Sequence, residues 1–316
     1  MKYIKIIGVW LVLSTAGLEL LLHLAAPYGP HQLVGRLPYQ AGVHVVNVMS
    51  DTRSIFGPNP CNPVSNPLTE RVDFTFDHNG GRGNASAPIL VLGDSFVADG
   101  GSNTPFWASI DAYGLGQNGA GPLTELALLK KAGFNEPRKA IIVAFFAGND
   151  ISNAAYEQTH RPPRFLLPVA IRWVVTNHDI PMVCYTDVQG QPVALYQTEI
   201  DSYRHSRAYW EQHAGWTVTQ DAIRSMRDLS LAHGALFILL YIPTKTSAYA
   251  PMLGFGEDAQ RGLLEDFARR ENIAFWDLTE VIRTETARGT RLYWHGDLHW
   301  NPVGHTIIGE WLKGAF

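Results

Sequence analysis

Four short stretches set reactive or charge-stabilising side chains beside runs of apolar residues. Gly93-Asp94-Ser95-Phe96 follows Ile89 to Leu92, and Gly116-Gln117-Asn118-Gly119-Ala120-Gly121 follows the next strand-like segment. Ala147-Gly148-Asn149-Asp150 follows Ile141 to Phe146, and Gly296-Asp297-Leu298-His299-Trp300-Asn301 comes just before the last helical segment. A serine hydroxyl attacks well only when a base takes its proton during the attack. His299 is the candidate base, with Asp297 on its other ring nitrogen to hold the tautomer and stabilise the imidazolium. The oxyanion that develops needs fixed donors, each worth ~3 kcal/mol of barrier lowering. The backbone N–H groups of Ser95 and Gly119 and the side-chain amide of Asn149 are the candidates. Glycine at 119 would let main chain approach a substrate with no Cβ in the way. Together these groups suit acyl transfer.

Each stretch has a plainer reading when taken alone. A G-D-S triplet after a strand is commonly a turn with a helix cap, and G-N-D is an ordinary turn. Asp-x-His could be surface polarity or half a metal site. Their joint order, each at the end of a strand of one sheet or just before the last helix, favours a functional site. Asp94 and Asp150 are read as carboxylates that fix their loops, and His305 as structural. His295 is expected to be an exposed loop histidine. Lys245 is expected either to meet an acidic sugar or to be solvated. No further His or carboxylate stands at ligand spacing near Asp297 and His299, and no glycine loop followed by Lys is present, so no metal and no cofactor are expected.

The elements that must position these groups follow an α/β rhythm. Short apolar runs at 89–92, 141–146, 236–242 and 273–276 suit a parallel sheet covered on both faces. Between them lie segments with helical spacing: Leu123, Leu126 and Ala127; Ala222, Met226 and Leu229; Ala259, Leu263 and Phe267; and Val303, Ile307 and Trp311. Strands alternating with helices mean a layered α/β domain, here residues 86–316. Residues 151–215 break the rhythm and read as an insertion over one end of the sheet, either a substrate-contact region or a structural flap. Residues 27–85, rich in Pro, Gly and Asn, read as an irregular extension that packs on the main domain and in which only Arg71 to Phe76 alternates like a strand.

Residues 1–26 open with Lys2 and Lys5 before an apolar run, the layout of a signal peptide or a signal anchor. Ile4 to Ala25 matches the ~20 residues needed to span a bilayer core. The expected location is therefore membrane-anchored with the catalytic domain outside the cytoplasm. In that setting Cys61 and Cys184 could form a disulfide, and two unpaired buried thiols are the alternative. Lys plus Arg is 25 against 29 for Asp plus Glu, for a formal charge of -4, which lacks the basic excess of a nucleic-acid binder. Nine Trp and twelve Tyr suit a sugar-facing or membrane-facing surface.

Taken together, the motifs resemble those of the SGNH (GDSL-type) hydrolases. Gly93-Asp94-Ser95-Phe96 is similar to the first block of that family, Gly119 within NGAGP to the second, Gly148-Asn149-Asp150 to the third, and Asp297 with His299 to the last. The resemblance implies a three-layer α/β/α flavodoxin-like fold with a parallel sheet, and a serine esterase or O-acyltransferase working through acyl-Ser95. One residue separates Asp297 from His299 where the family usually has two, and Gly114 stands where many relatives carry Asn. The D-x-H-W-N ending, with Ile242-Pro243-Thr244-Lys245 and Tyr249, is similar to the alginate-acetylation branch, although the serine-first order is that of ordinary SGNH hydrolases. The implied partner is an acylated carbohydrate or other ester. The rivals are a non-catalytic polysaccharide-binding or assembly protein on the same fold, and a lipase or thioesterase at the membrane surface.

Overall fold

Strands in this chain are apolar on both sides where helices cover both sides. The computed structural model describes residues 14–18, 21, 44–51, 53–54, 57–58, 61, 66–98, 101–159 and 181–316. Its strands are β1 (His44–Ser50), β2 (Arg53–Ser54), β3 (Gly57–Pro58), β4 (Thr69–Thr75), β5 (Ile89–Gly93), β6 (Ala112–Gly116), β7 (Ala140–Phe146), β8 (Met182–Thr186), β9 (Pro192–Tyr196), β10 (Leu236–Ile242) and β11 (Ala274–Asp277). A five-stranded sheet has the order β11-β10-β7-β5-β6, with every pair parallel. Alternate side chains point to opposite faces of a strand. Leu90, Leu92, Ile141, Val143, Phe145 and Leu239 therefore pack with Ile223, Met226, Leu263 and Phe267 in one layer. Val91, Ile142, Ala144, Phe146 and Leu240 meet Trp107, Ile282, Ile308 and Leu312 in the other. The result is the α/β/α sandwich expected.

Counted along the chain, the first strand of this sheet lies between the second and the third. That is the flavodoxin-like order, with its switch point between β5 and β7, where an open α/β sheet forms its ligand crevice beyond the carboxyl ends. Ser95 follows β5 and Asn149 follows β7. The topology alone thus brings two of the candidate residues to one crevice.

Where helix and strand expectations differ from the structure, the cause is local packing. In the last helix, Pro302–Ala315, the expected stripe of Val303, Ile307 and Trp311 is not the inner face. His305, Ile308 and Leu312 are buried with Gly304 and Gly309, whereas Val303 is 41% exposed. A Cβ on Gly304 would lie 2.3 Å from the Leu292 carbonyl oxygen, so the helix backbone itself packs on the 292–300 loop there, and Gly309 packs closely on Phe106 and Ser109. The extension is also more ordered than its composition suggests. β1 pairs antiparallel with β4, from His44 opposite Thr75 to Ser50 opposite Thr69. Met49 and Val72 pack on Trp294, inside the loop that leads to His299.

The inserted region begins with the helix Asp150–Thr159, continues as the β8–β9 hairpin, and ends in the helices Gln197–Arg204 and Arg207–Gln212. The RPPRFLLP segment lies outside the described residues, as does nearly all of the expected 1–26 anchor. Among the described residues no helix is long and apolar enough to cross a membrane. Cys61 and Cys184 form a disulfide, tying the extension to β8 across a sequence separation of 123. Closing so long a loop restricts the unfolded chain, so replacing both cysteines by Ala is expected to cost roughly 2–4 kcal/mol. The measurement is urea unfolding, in which the midpoint should fall and the slope should rise as the unfolded chain expands.

Candidate active site

The candidate nucleophile sits at a turn that only small residues permit. Ser95 opens the short helix Ser95–Ala98 directly after β5. Asp94 is fully buried, and its Oδ1 accepts the Phe96 N–H at 2.9 Å, which fixes the turn as expected. The turn rests on the end of β6, where a Cβ on Gly116 would come within 2.6 Å of the Ala98 nitrogen. Gly114 is likewise hard against Trp107, whose ring a Cβ would meet at 2.4 Å. No side chain fits at 114 in this packing.

His299 arrives from the other end of the chain. Its Nε2 lies 2.7 Å from Ser95 Oγ, and its Nδ1 lies 2.6 Å from Asp297 Oδ1. Asp297 Oδ1 also accepts the backbone N–H of His299 at 2.8 Å. This side-chain-to-backbone contact two residues on is the turn that Asp forms readily. A single intervening residue therefore suffices to put the carboxylate under the imidazole. The Asp297 side chain is 2% exposed and that of His299 12%, so the carboxylate is covered while the imidazole keeps some access. Phe96 packs against both His299 and Trp300, with ring centroids 4.9 Å apart in each case, and limits the swing of the imidazole.

The other candidate oxyanion donors come from the segments that follow β6 and β7. Gly119 has φ of 69°, a left-handed conformation that favours glycine, and a Cβ there would meet nothing within 4 Å. Its loop is held from the helix Asp150–Thr159. Asn153 Nδ2 donates to the carbonyls of Gly119 and Ala120, and Glu157 accepts from the N–H groups of Gly121 and Leu123. Asn149 Nδ2 donates to Asp94 Oδ2 at 3.2 Å. One amide hydrogen is thereby used to orient the side chain and the second remains for a ligand. Asp150 is buried as well, with Oδ2 accepting the Phe146 N–H, as a loop-fixing carboxylate should. Burial first, then the neighbouring Glu125 and Asp94, hold its acid well above the usual range. Asn149→Ala is expected to lower kcat by about 100- to 1,000-fold with little change in fold. The check is steady-state hydrolysis of an acetyl ester beside the wild type.

Two sequence-based expectations are corrected. His295 is 3% exposed rather than a surface loop residue; its N–H donates to Asp51 Oδ1 at 2.8 Å, and burial lowers its pKa to about 4. Lys245 is neither solvated nor open to a sugar. It is 3% exposed, and its Nζ donates to the carbonyls of Trp294, His295 and Asp297. The reason is position: the short helix Lys245–Tyr249, capped by Thr244, starts beneath the 294–297 loop and directs its first side chain into it. His305 is structural as expected, with Nδ1 accepting the Phe106 N–H. Asn153, Glu157, Glu199 and Asp51 were not singled out from sequence. Asn149, Asn153 and Glu157 recur at intervals of four, a helical spacing that marks one face and was there to be read. Asp51 and Glu199 come from distant elements and leave no such trace.

Among the described residues no group of three His, Cys, Asp or Glu side chains could hold a metal ion. No family model matches the chain, and no curated protein matches it. Among solved structures the chain is similar to a GDSL-like lipase from Bacteroides thetaiotaomicron, at 14% identity over 72% of this chain and 86% of that one, with a TM-score of 0.40. It is also similar to a catalytic mutant of an acetylxylan esterase from Geobacillus stearothermophilus, at 11% identity over 73% and 94%, with a TM-score of 0.42. A third is an alpha/beta hydrolase enzyme from the metagenome of Lake Arreo, Spain, at 14% identity over 72% and 94%, with a TM-score of 0.41. Likeness at this level does not bear on activity, which the side chains themselves must decide.

Proposed function

We propose that this chain is an SGNH-type serine enzyme that cleaves or transfers acyl groups, with acetyl esters of a polysaccharide as its substrate class and its site outside the cytoplasm. One observation carries the reading: an unbroken hydrogen-bonded line from Ser95 Oγ through His299 to Asp297, at 2.7 and 2.6 Å, lies at the switch point of a parallel sheet. In the first half-reaction His299 Nε2 takes the Ser95 proton as Oγ bonds to the ester carbonyl carbon. The tetrahedral oxyanion is met by the N–H groups of Ser95 and Gly119 and by Asn149 Nδ2. The C–O bond to the leaving alcohol then breaks, and His299 returns the proton to that alcohol. In the second half a water or a sugar hydroxyl gives its proton to His299 and attacks acyl-Ser95. Ser95 leaves with the proton restored. Water makes the protein an esterase, and a hydroxyl acceptor makes it an O-acyltransferase.

The location outside the cytoplasm is supported by the Cys61–Cys184 disulfide, since such bonds persist in oxidising compartments. The charge layout of residues 1–26 supports it independently. Brief exposure to p-nitrophenyl acetate, followed by mass analysis, should find one acetyl group on the peptide that contains Ser95. Strong preference for octanoyl over acetyl esters would instead indicate a lipase at a membrane surface. Binding of a glycan with no turnover of any ester would indicate a binding protein.

A further inference from the structure

The loop that presents Asp297 is held from below by a group that takes no part in the proton line. Lys245 Nζ donates to the carbonyl oxygens of Trp294 at 2.8 Å, His295 at 2.8 Å and Asp297 at 3.1 Å. An ammonium has three donors and no acceptor, so these carbonyls use its whole capacity. Tyr196 adds a further donor to the Gly296 carbonyl, at 3.1 Å. The groups that face the ammonium come from separate elements: Glu199 from the helix Gln197–Arg204, Asp297 from the loop itself, Asp51 from the end of β1, and Arg291 beyond it. Asp51 is already engaged by Arg291, 3.1 Å from its Oδ2. A buried charge needs a paired charge or hydrogen bonds, failing which the group neutralises. The covered Asp297 has Lys245 on its own carbonyl.

We propose that Lys245 is the positioning residue of this site, clamping the 294–297 loop so that Asp297 stays under His299. The proposal rests on the catalytic reading of Ser95 and His299.

The test compares the wild type, Lys245→Met and Tyr196→Phe in p-nitrophenyl acetate hydrolysis, and follows deuterium uptake by the 292–301 segment. Displacing a catalytic group by about 1 Å costs on the order of 100-fold, so Lys245→Met should lose that much in kcat with KM within about threefold of the wild type. Uptake by 292–301 should be faster in that variant. Tyr196→Phe removes the donor to Gly296 and should show both effects at smaller size. Unchanged kcat and unchanged uptake in Lys245→Met, or a loss that falls on KM rather than kcat, would overturn the proposal. If the wild type shows no Ser95-dependent turnover, the proposed function fails while deuterium uptake still decides the clamp.

Discussion

Ser95→Ala is expected to lower kcat/KM for p-nitrophenyl acetate by roughly 10,000-fold or more while leaving the fold intact. The hydroxyl is the atom that would form the acyl bond, and its single side-chain contact in the proton line is His299 Nε2 at 2.7 Å. The neighbouring turn does not depend on it. Asp94 caps the turn through the Phe96 N–H, and the Asp94 carbonyl accepts the Val97 and Ala98 N–H groups. The melting temperature should therefore move little. A residual rate above that of water should survive, because Gly119 and Asn149 can still receive an oxyanion, a contribution worth about 1,000-fold or more in comparable sites. His299→Ala should be about as damaging as Ser95→Ala, and the two together no worse than either, since residues that act as one unit do not add. Equal rates in wild type and Ser95→Ala would remove the nucleophile, and with it the reading of the site as an enzyme.

Much of this arrangement can be read in the sequence, for a reason specific to α/β sheets. Apolar runs such as Ile141 to Phe146 are buried on both faces and mark strands without ambiguity, and the polar residues that follow each run must then lie at one edge of the sheet. Ser95, Gly119 and Asn149 were found in that way, and the structure brings Ser95, His299 and Asp297 together as the motif order implied. What sequence could not supply was support from far along the chain. Lys245 was read as solvated or as meeting an acidic sugar because nothing near it in sequence names the carbonyls it meets some fifty residues later. His295 looked exposed because Asp51, which accepts its N–H, belongs to an extension that was expected to pack on the main domain but whose composition does not say where. The last helix was misread by one position because glycine lacks the side chain on which hydrophobic spacing depends, yet Gly304 and Gly309 are where that helix comes closest to its neighbours.

Asp297→Asn should be nearly as damaging as loss of the serine, at about 10,000-fold in kcat, and it separates charge from shape. Asp297 Oδ1 accepts both the ring Nδ1 hydrogen and the backbone N–H of His299, while Oδ2 is buried without a hydrogen-bond partner. An asparagine can take either of two orientations there, and neither works. With its oxygen toward His299 the tautomer is kept, but the imidazolium has lost the carboxylate that stabilises it, and a buried NH₂ is left with no acceptor. With its nitrogen toward His299 that NH₂ opposes a backbone N–H and donates to Nδ1, which puts the ring proton on Nε2 and leaves no base to receive the Ser95 proton. Stability should fall by about 1–3 kcal/mol for the unsatisfied donor, measurable in urea. Loss of the negative charge also lowers the imidazolium pKa, so the acid limb of kcat/KM should move to lower pH, the sign opposite to that of a neighbouring acid becoming ionised. Retention of more than about one tenth of wild-type kcat would mean that the 2.6 Å contact holds the histidine in place without contributing charge, and the base would then act as an unassisted imidazole.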